Sequence, residues 1–222
     1  MSESHLRLTV DTDVAVISGR TTLEGNLVVP EGAEGIVLFA HGSGSSRHSP
    51  RNRYVAQVLQ SGGLATLLFD LLTAREDDVD RRTGQYRFEI DLLADRLVGA
   101  TRWALEQDEI RGLALGYFGS STGAAAALVA AAETPQNVSA IVSRGGRPDL
   151  AGPALSQVQA PTLLIVGGDD EPVIDLNRQA LARLSGEKDL QIVPGATHLF
   201  EEPGALETVS NMALDWFRRH LG

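Results

Sequence analysis

The feature that most constrains the fold is an alternation, from residue 36 onward, between short continuous apolar runs and longer stretches of helical character. A strand that is apolar at every position has to be buried on both faces, as in parallel sheets covered by helices. The runs predict strands at 36–40, 65–70, 113–118, 138–143, 162–166 and 190–193. The remaining stretches predict helices at 51–62, 87–107, 122–133, 175–185 and 203–220. This order predicts an α/β fold with a mainly parallel central sheet and helices on both faces.

The N-terminal residues follow a different pattern. Alternating apolar residues at 6–10 and 13–17 are separated by Asp-Thr-Asp, which is a turn signal, and a further β-like run at 23–29 is closed by Pro30. We expect these segments to form an antiparallel edge of the sheet. The charge-rich stretch at 75–82 is expected to be a solvated surface loop.

Composition and charge exclude several classes of protein. The length of 222 residues favours one domain spanning 1–222, and the lack of cysteine excludes disulfides, thiolate metal sites and a cysteine nucleophile. The chain has 19 basic and 29 acidic residues, and the resulting net charge of −10 works against binding to nucleic acid or anionic lipid. No apolar run is long enough to cross a bilayer, and the N-terminal segment lacks signal-peptide character. We therefore expect a cytoplasmic protein without a nucleic-acid or membrane partner; the oligomeric state stays open.

The segment Gly119-Ser120-Ser121-Thr122-Gly123 fits the pattern Gly-X-Ser-X-Gly. In that pattern small flanking residues allow a serine to lie at the tip of a sharp strand-to-helix bend, with its hydroxyl exposed. The pattern alone is weak, but here an apolar strand leads into it and a helix-forming run follows. Ser121 is therefore a candidate nucleophile.

A serine nucleophile at neutral pH needs a base, and the chain has five histidines. His198 follows the last predicted strand, which places it at the carboxyl edge of the sheet, where α/β proteins build their sites. His5 and His220 lie near the chain ends and are expected to be exposed bystanders. His41 is expected to be a structural histidine whose hydrogen bonds are satisfied. We therefore expect His198 to be the base.

An acidic residue is needed to hold the base in one tautomer. Asp169 and Asp170 lie in the segment 167–173, after a predicted strand and between the other two candidates in chain order. Charged residues after a strand also serve as turn formers or helix caps. The residues alone do not choose between the two aspartates.

Acyl transfer also needs backbone N–H donors for the developing oxyanion. Thr122 follows the candidate nucleophile and supplies one such donor. Ser43, in a glycine-rich turn after the first parallel strand, is the expected second donor, with Gly44 next.

Four segments together resemble the α/β-hydrolase superfamily, and specifically its compact dienelactone-hydrolase-like branch. They are the glycine-rich turn 41–44, the serine turn 119–123, the acidic loop 167–173 and Gly-Ala-Thr-His at 195–198. The resemblance spans nearly the whole chain. It implies an α/β-hydrolase fold that needs neither a metal nor an organic cofactor.

The resemblance also implies roles for individual residues. The family's Gly-X-X-Asp-X-X-Val pattern, laid on 167–173, selects Asp170, and the same transfer makes Ser121 the nucleophile and His198 the base. Dienelactone hydrolase itself has a cysteine as the nucleophile, whereas this chain has Ser121. The departure puts lactone specificity in doubt and favours a serine esterase.

Arg47, Arg144 and Arg147 follow predicted strand ends on the side where the site should open. They could bind a substrate carboxylate in forked hydrogen bonds, or they could pair with the many acidic residues of the chain.

The sequence predicts a serine carboxylesterase that acts on short-chain esters. Only residues 144–161 separate two predicted strands at the point where a cap is often inserted, so no cap domain is expected. A lactonase, a thioesterase and a small-peptide hydrolase remain alternatives, because one triad can serve all of these acyl groups. A non-catalytic ligand-binding protein on a hydrolase scaffold is the alternative from another class.

Overall fold

A computed structural model describes residues 7–222 of the chain. Within them, the strands are β1 (Leu8–Ser18), β2 (Thr21–Pro30), β3 (Gly35–Ala40), β4 (Leu64–Phe69), β5 (Ala114–Ser120), β6 (Ala140–Arg144), β7 (Thr162–Gly167) and β8 (Lys188–Val193). The helices are α1 (Pro50–Ser61), α2 (Ala74–Thr83), α3 (Ile90–Leu105), α4 (Thr122–Glu133), α5 (Glu171–Arg183) and α6 (Ala205–Leu221). Short 3₁₀ segments occupy Asp108–Ile110 and Pro148–Gln157.

These strands form one sheet in the order β1-β2-β4-β3-β5-β6-β7-β8. Strands β3 to β8 run parallel to their neighbours among themselves, while β1 pairs with β2, and β2 with β4, in antiparallel fashion. The predicted mainly parallel sheet with an antiparallel N-terminal edge is confirmed. Because parallel strands end at one edge, the loops after β3, β5, β6, β7 and β8 all meet there.

Strand β3 shows why its sequence is apolar at every position. Successive side chains of a strand point to opposite faces. Ile36 and Leu38 pack in the core that contains residues of α3 and α4, whereas Val37 and Phe39 pack in the core that contains residues of α1 and α6. Both faces of the strand are therefore covered by helices.

The predicted turn within the first strand is wrong. Strand β1 is continuous from Leu8 to Ser18, and Asp11 and Asp13 pair in register with Val28 and Asn26. An edge strand tolerates these aspartates because their side chains face solvent. The turn lies after the strand instead, where Gly19 has φ of 59°. Residue 6 of the predicted strand lies outside the described residues.

The predicted loop at 75–82 is also wrong, because these residues form helix α2. Thr73 and Glu76 form a reciprocal capping box at its start, and Gly84 ends it in the left-handed conformation. Arg81 pairs with Asp77 at 2.9 Å, one helical turn away. Local caps and i,i+4 ion pairs thus allow a helix with almost no apolar face.

Two further expectations concern the ends of the chain and the β6–β7 connection. His220 is wrongly predicted as exposed: its ring lies 4.7 Å from that of Trp216, and its side chain is 12% exposed. His5 lies outside the described residues. Between β6 and β7 the chain forms only the 3₁₀ turns of Pro148–Gln157, so no cap is inserted there, as predicted.

His41 joins the ends of two strands. The N–H of Leu71, just after β4, donates to His41 Nε2 at 3.0 Å, so Nδ1 carries the proton and donates to the Gly42 carbonyl at 2.9 Å. The predicted structural role of His41 is therefore confirmed. Burial disfavours the imidazolium and lowers the pKa of His41 below its ordinary value.

This burial predicts a pH dependence of stability. Because the folded-state pKa of His41 is lowered, protons bind the unfolded chain more readily. Its contribution to the free energy of unfolding is complete above about pH 6.5 and is lost as the pH falls below that value. Urea unfolding of the wild type and of His41→Gln between pH 7.5 and 5.5 should show a smaller pH dependence in the variant. Equal pH dependence in both proteins would contradict the assignment.

Candidate active site

Ser121 lies at the bend between β5 and α4. Its backbone has φ of 51° and ψ of −123°, and among residues 7–222 the only other non-glycine residue with a positive φ is Phe200. A Cβ at Gly119 would lie 2.5 Å from Ala124 Cα, and a Cβ at Gly123 would lie 2.1 Å from the Ala40 carbonyl oxygen. Both flanking glycines are therefore required for the close contact between strand and helix that holds Ser121 in this strained conformation.

The segment after β6 supports the backbone of Ser121. The N–H of Ser121 donates to the Arg144 carbonyl at 3.4 Å, and the N–H of Arg147 donates to the Ser121 carbonyl at 3.0 Å. On the other side, a Cβ at Gly42 would lie 2.9 Å from Ser121 Cβ, so the turn after β3 packs directly against the serine.

The loops after β7 and β8 are joined by backbone hydrogen bonds. Gly168 N–H donates to the Val193 carbonyl at 2.8 Å, and Asp169 N–H donates to the Ala196 carbonyl at 3.0 Å. The two strands are parallel neighbours, so their loops emerge side by side. This arrangement brings Asp170 Oδ2 within 2.7 Å of His198 Nδ1. These are the two residues that the family resemblance implied for the acid and the base.

The Asp170 contact determines the tautomer of His198. An ionised carboxylate only accepts hydrogen bonds, so Nδ1 carries the proton and Nε2 keeps a free lone pair. The Asp170 side chain is 14% exposed and contacts the imidazole, whereas Asp169 is an exposed residue. Of the two aspartates that the residues alone left open, Asp170 is the one that contacts the imidazole.

Gly145 lies between the segment that supports Ser121 and the loop that carries His198. A Cβ at Gly145 would lie 3.6 Å from His198 Cε1, and Gly145 belongs to the same segment that is hydrogen-bonded to Ser121. Among residues 7–222, the His198 ring is hydrogen-bonded to Asp170 and not to Ser121. Catalytic hydrogen bonds are often long without substrate and tighten in the complex. Gly145 was not among the predicted site residues, and its only signal in the sequence is its place after a strand.

The loop that carries His198 has its own support. Thr197 Oγ1 donates to Glu202 Oε1 at 2.7 Å, and the N–H of Phe200 donates to the Thr197 carbonyl at 3.2 Å. Phe200 is buried and has φ of 56°. Strained backbone of this kind persists where its surroundings hold it, so the loop has little freedom to move His198.

The two expected oxyanion donors differ in their present partners. Thr122 is the first residue of α4, where a backbone N–H has no acceptor within the helix. Ser43 N–H, in contrast, donates to the side chain of Thr122 at 3.1 Å. Gly44, with φ of 67°, continues the turn. A cavity of about 20 Å³ lies beside this turn, which is room for about one water molecule.

Two of the three arginines predicted near the site form ion pairs with acidic residues. Arg47 forms ion pairs with Asp70 and, at 2.6 Å, with Glu24. Arg147 donates two hydrogen bonds of 2.8 Å to Asp149. These guanidinium groups have the acidic partners that the sequence analysis gave as the alternative to substrate binding.

Arg144 is different. Its side chain is buried, it has no acidic partner among residues 7–222, and its Nη1 has no hydrogen-bond partner there. The guanidinium carbon lies 5.9 Å from the centre of the Phe118 ring. Burial, and secondarily the charge of Arg51, lower the pKa of Arg144 to about 10. It remains a buried cation at neutral pH, one backbone hydrogen bond away from Ser121.

Two negative findings apply to residues 7–222. No group of three or more histidine, aspartate or glutamate side chains is placed to hold a metal ion. None of the helices in this range combines the length and the apolar character needed to cross a membrane.

The chain is similar in sequence and structure to several known proteins. A Mycobacterium tuberculosis protein with the provisional name phosphoribosyl transferase MT0597 is 58% identical over 211 residues, which is 95% of this chain but 47% of that protein. The chain thus spans about half the length of the curated relatives it matches. Dienelactone hydrolase from Anabaena variabilis is 61% identical, with a TM-score of 0.94 over 96% of this chain and 99% of the other.

A more distant structure supports the fold alone. Est1E from Butyrivibrio proteoclasticus is 14% identical, with a TM-score of 0.73 over 93% of this chain and 99% of the other. The model of the dienelactone hydrolase family matches residues 23–221, which include all four segments of the site. With that match and the Anabaena relative, the chain belongs to the dienelactone hydrolase family.

Proposed function

We propose that this hydrolase cleaves carboxylic esters of short acyl chains through an acyl-enzyme on Ser121. The observation that carries the proposal is the 2.7 Å contact of Asp170 with His198, at the sheet edge where Ser121 lies in a strained bend. Nucleophilic acyl transfer uses a serine in a strained bend together with an imidazole that an acid orients.

Each residue has a role in the proposed reaction. Ser121 Oγ attacks the ester carbonyl, and His198 Nε2 accepts its proton and returns it to the leaving alcohol. Asp170 keeps the imidazole in the tautomer that leaves Nε2 free and stabilises the imidazolium that forms. The N–H groups of Thr122 and Ser43 stabilise the oxyanion, and water then hydrolyses the acyl-enzyme.

The family supports hydrolysis, and the 61% identical Anabaena relative is named a dienelactone hydrolase. The transferase name of the mycobacterial relative belongs to a protein about twice as long, so we do not carry that activity over to this chain. Lactones, thioesters and small peptides are alternative substrates of the same residues. A serine-directed phosphonate that forms no adduct with Ser121 would favour the remaining alternative, a ligand-binding protein without catalysis.

An acidic group on the substrate is a further part of the proposal. A buried guanidinium without an acidic partner is costly, and a substrate carboxylate would provide the missing partner. Of the three arginines considered, Arg144 is the one without an acidic partner among residues 7–222.

The first prediction concerns the nucleophile. Ser121→Ala should fold normally and lose at least about 10³-fold in kcat, because no other group can form the acyl-enzyme. The matched control is Ser120→Ala, which should keep most of the activity because the Ser120 side chain is buried in the sheet. Hydrolysis of p-nitrophenyl acetate measures both variants. Comparable residual rates would show that the attacking group has been misassigned.

The second prediction separates the two aspartates. Asp170→Asn should lower kcat by about 10⁴-fold, because an amide in that place favours the wrong tautomer of His198. Asp169→Asn changes an exposed residue and should leave kcat within about threefold of wild type. If Asp169→Asn is the more damaging change, the proposed acid is wrong.

The third prediction concerns acyl length. No cap is inserted between β6 and β7 to cover a long acyl chain. Each buried methylene contributes about 0.8 kcal/mol, so additional carbons stop helping once they remain in water. We expect kcat/KM on p-nitrophenyl esters to peak at roughly two to six acyl carbons and to fall beyond about eight. A steady rise to sixteen carbons below the micelle threshold would mean that a long apolar channel opens.

The fourth prediction tests Arg144. If its guanidinium binds a substrate carboxylate, Arg144→Met should raise KM for monomethyl succinate about tenfold or more, the equivalent of one charge-assisted hydrogen bond. KM for neutral methyl butyrate should change little, which also verifies that the variant folds. The matched control is Arg147→Met, because the wild-type Arg147 guanidinium is already paired with Asp149. This variant should change KM for neither ester. An equal rise in KM for both esters would argue against a carboxylate subsite.

A further inference from the structure

The turn after β3 is tied to the start of α4 by an unusual set of contacts between two residues. Ser43 N–H donates to Thr122 Oγ1 at 3.1 Å, and the two hydroxyl oxygens lie 3.0 Å apart. Ser43 Oγ in turn donates to the Arg87 carbonyl at 3.0 Å. The proposed second oxyanion donor is therefore occupied by a side chain in the absence of substrate.

The direction of each hydrogen bond follows from the chemistry of the groups. A carbonyl oxygen only accepts, so the single hydroxyl proton of Ser43 goes to Arg87. The bond between the two hydroxyls must then be donated by Thr122. Thr122 Oγ1 thus accepts from the backbone of Ser43 and donates to its side chain, and both residues are held at two points.

The far end of this chain of hydrogen bonds is fixed by a buried acid. The Asp80 carboxylate is 2% exposed and accepts hydrogen bonds from the N–H groups of Tyr86 and Arg87, at 2.7 and 2.8 Å. Arg87 also pairs with Asp80 through its side chain at 3.3 Å. Because the Arg87 carbonyl is anchored in this way, the orientation of the Ser43 hydroxyl is set, and that of Thr122 with it.

We propose that Thr122 Oγ1 is a place-holder for the oxyanion, a positioning residue that gives up Ser43 N–H only when negative charge develops. The inference rests on the proposed esterase function and adds selectivity for the transition state. A neutral ester carbonyl offers Ser43 N–H a bond of the same kind as the one it already has, so exchange brings no gain. An oxyanion offers a charge-assisted bond about twice as strong, so exchange becomes favourable.

Only one hydrogen bond is exchanged in this step. Thr122 keeps its donation to Ser43 Oγ, and the Ser43 hydroxyl keeps its donation to Arg87. Binding energy from the second donor is thus withheld from the ground state and appears in the transition state, where it raises kcat rather than lowering KM.

The test is Thr122→Val, which keeps the branched shape and the backbone N–H but removes the acceptor. Ser43 N–H is then free to bind the ground-state carbonyl of the ester. On p-nitrophenyl acetate, KM should fall by a factor of about 3 to 10, the equivalent of one neutral hydrogen bond, because the ester carbonyl gains a donor without displacing Thr122. The step from the ground-state complex to the transition state gains the same amount in both proteins, so kcat should stay within about twofold of wild type and kcat/KM should rise. Thr122→Ser, which restores a hydroxyl, should return KM towards the wild-type value.

The matched control is Thr134→Val, at the opposite end of α4. Thr134 Oγ1 donates to the Ala130 carbonyl at 2.8 Å, so this variant makes the same chemical change away from the site. It should leave KM and kcat unchanged. Urea unfolding of each variant verifies the fold. If the valine variant does not fold, Thr122→Ala, which also lacks the acceptor, should give the same fall in KM.

Two results would overturn the place-holder. A fall in kcat with KM unchanged or raised would mean that the hydroxyl only shapes the turn, and unchanged constants would mean that Ser43 N–H is not an oxyanion donor. Failure of the proposed function looks different, because the wild type would then hydrolyse none of the esters and the place-holder would fall with it.

Discussion

The close contact between α4 and the sheet is the constraint on which the rest of the site depends. The backbone of α4 approaches the carboxyl ends of β3 and β5 so closely that no Cβ fits at Gly119 or Gly123. The alanines at 124–127 are fully buried and keep the helix against the sheet. This contact forces Ser121 into its positive φ and brings the first turn of α4 against the glycine-rich turn after β3. The serine, its neighbouring N–H and the Ser43 turn are therefore positioned by one packing contact.

Two histidines at the same edge of the sheet have opposite roles because their surroundings differ. His41 is buried, both ring nitrogens have backbone partners, and burial lowers its pKa, so it acts as a neutral cross-link between strand ends. The His198 side chain is 39% exposed and has a carboxylate on Nδ1, which leaves Nε2 directed to other partners. Exposure and partner, rather than residue type, separate the structural histidine from the candidate base.

Membership of the family establishes a hydrolase fold, whereas the chemistry depends on particular side chains. The Anabaena relative is 61% identical to this chain, whereas Est1E is 14% identical and supports the architecture alone. The chemistry proposed for this chain depends on local features. A serine occupies the bend, Thr122 Oγ1 covers an N–H of the neighbouring turn, and Arg144 is buried without an acidic partner in residues 7–222.

The sequence by itself determined the alternation of elements, the place of Ser121 and the loops that carry Asp170 and His198. These depend on local rules, because apolar periodicity sets strands and helices and because parallel strands all end at one edge. Local rules misjudged 75–82, where capping and i,i+4 pairs outweighed the lack of an apolar face. Only the tertiary structure decided which arginine has no acidic partner and which group accepts the hydrogen bond from Ser43 N–H. Those contacts join residues far apart in the chain, such as Ser43 and Thr122, and no sequence spacing encodes the distance between their atoms.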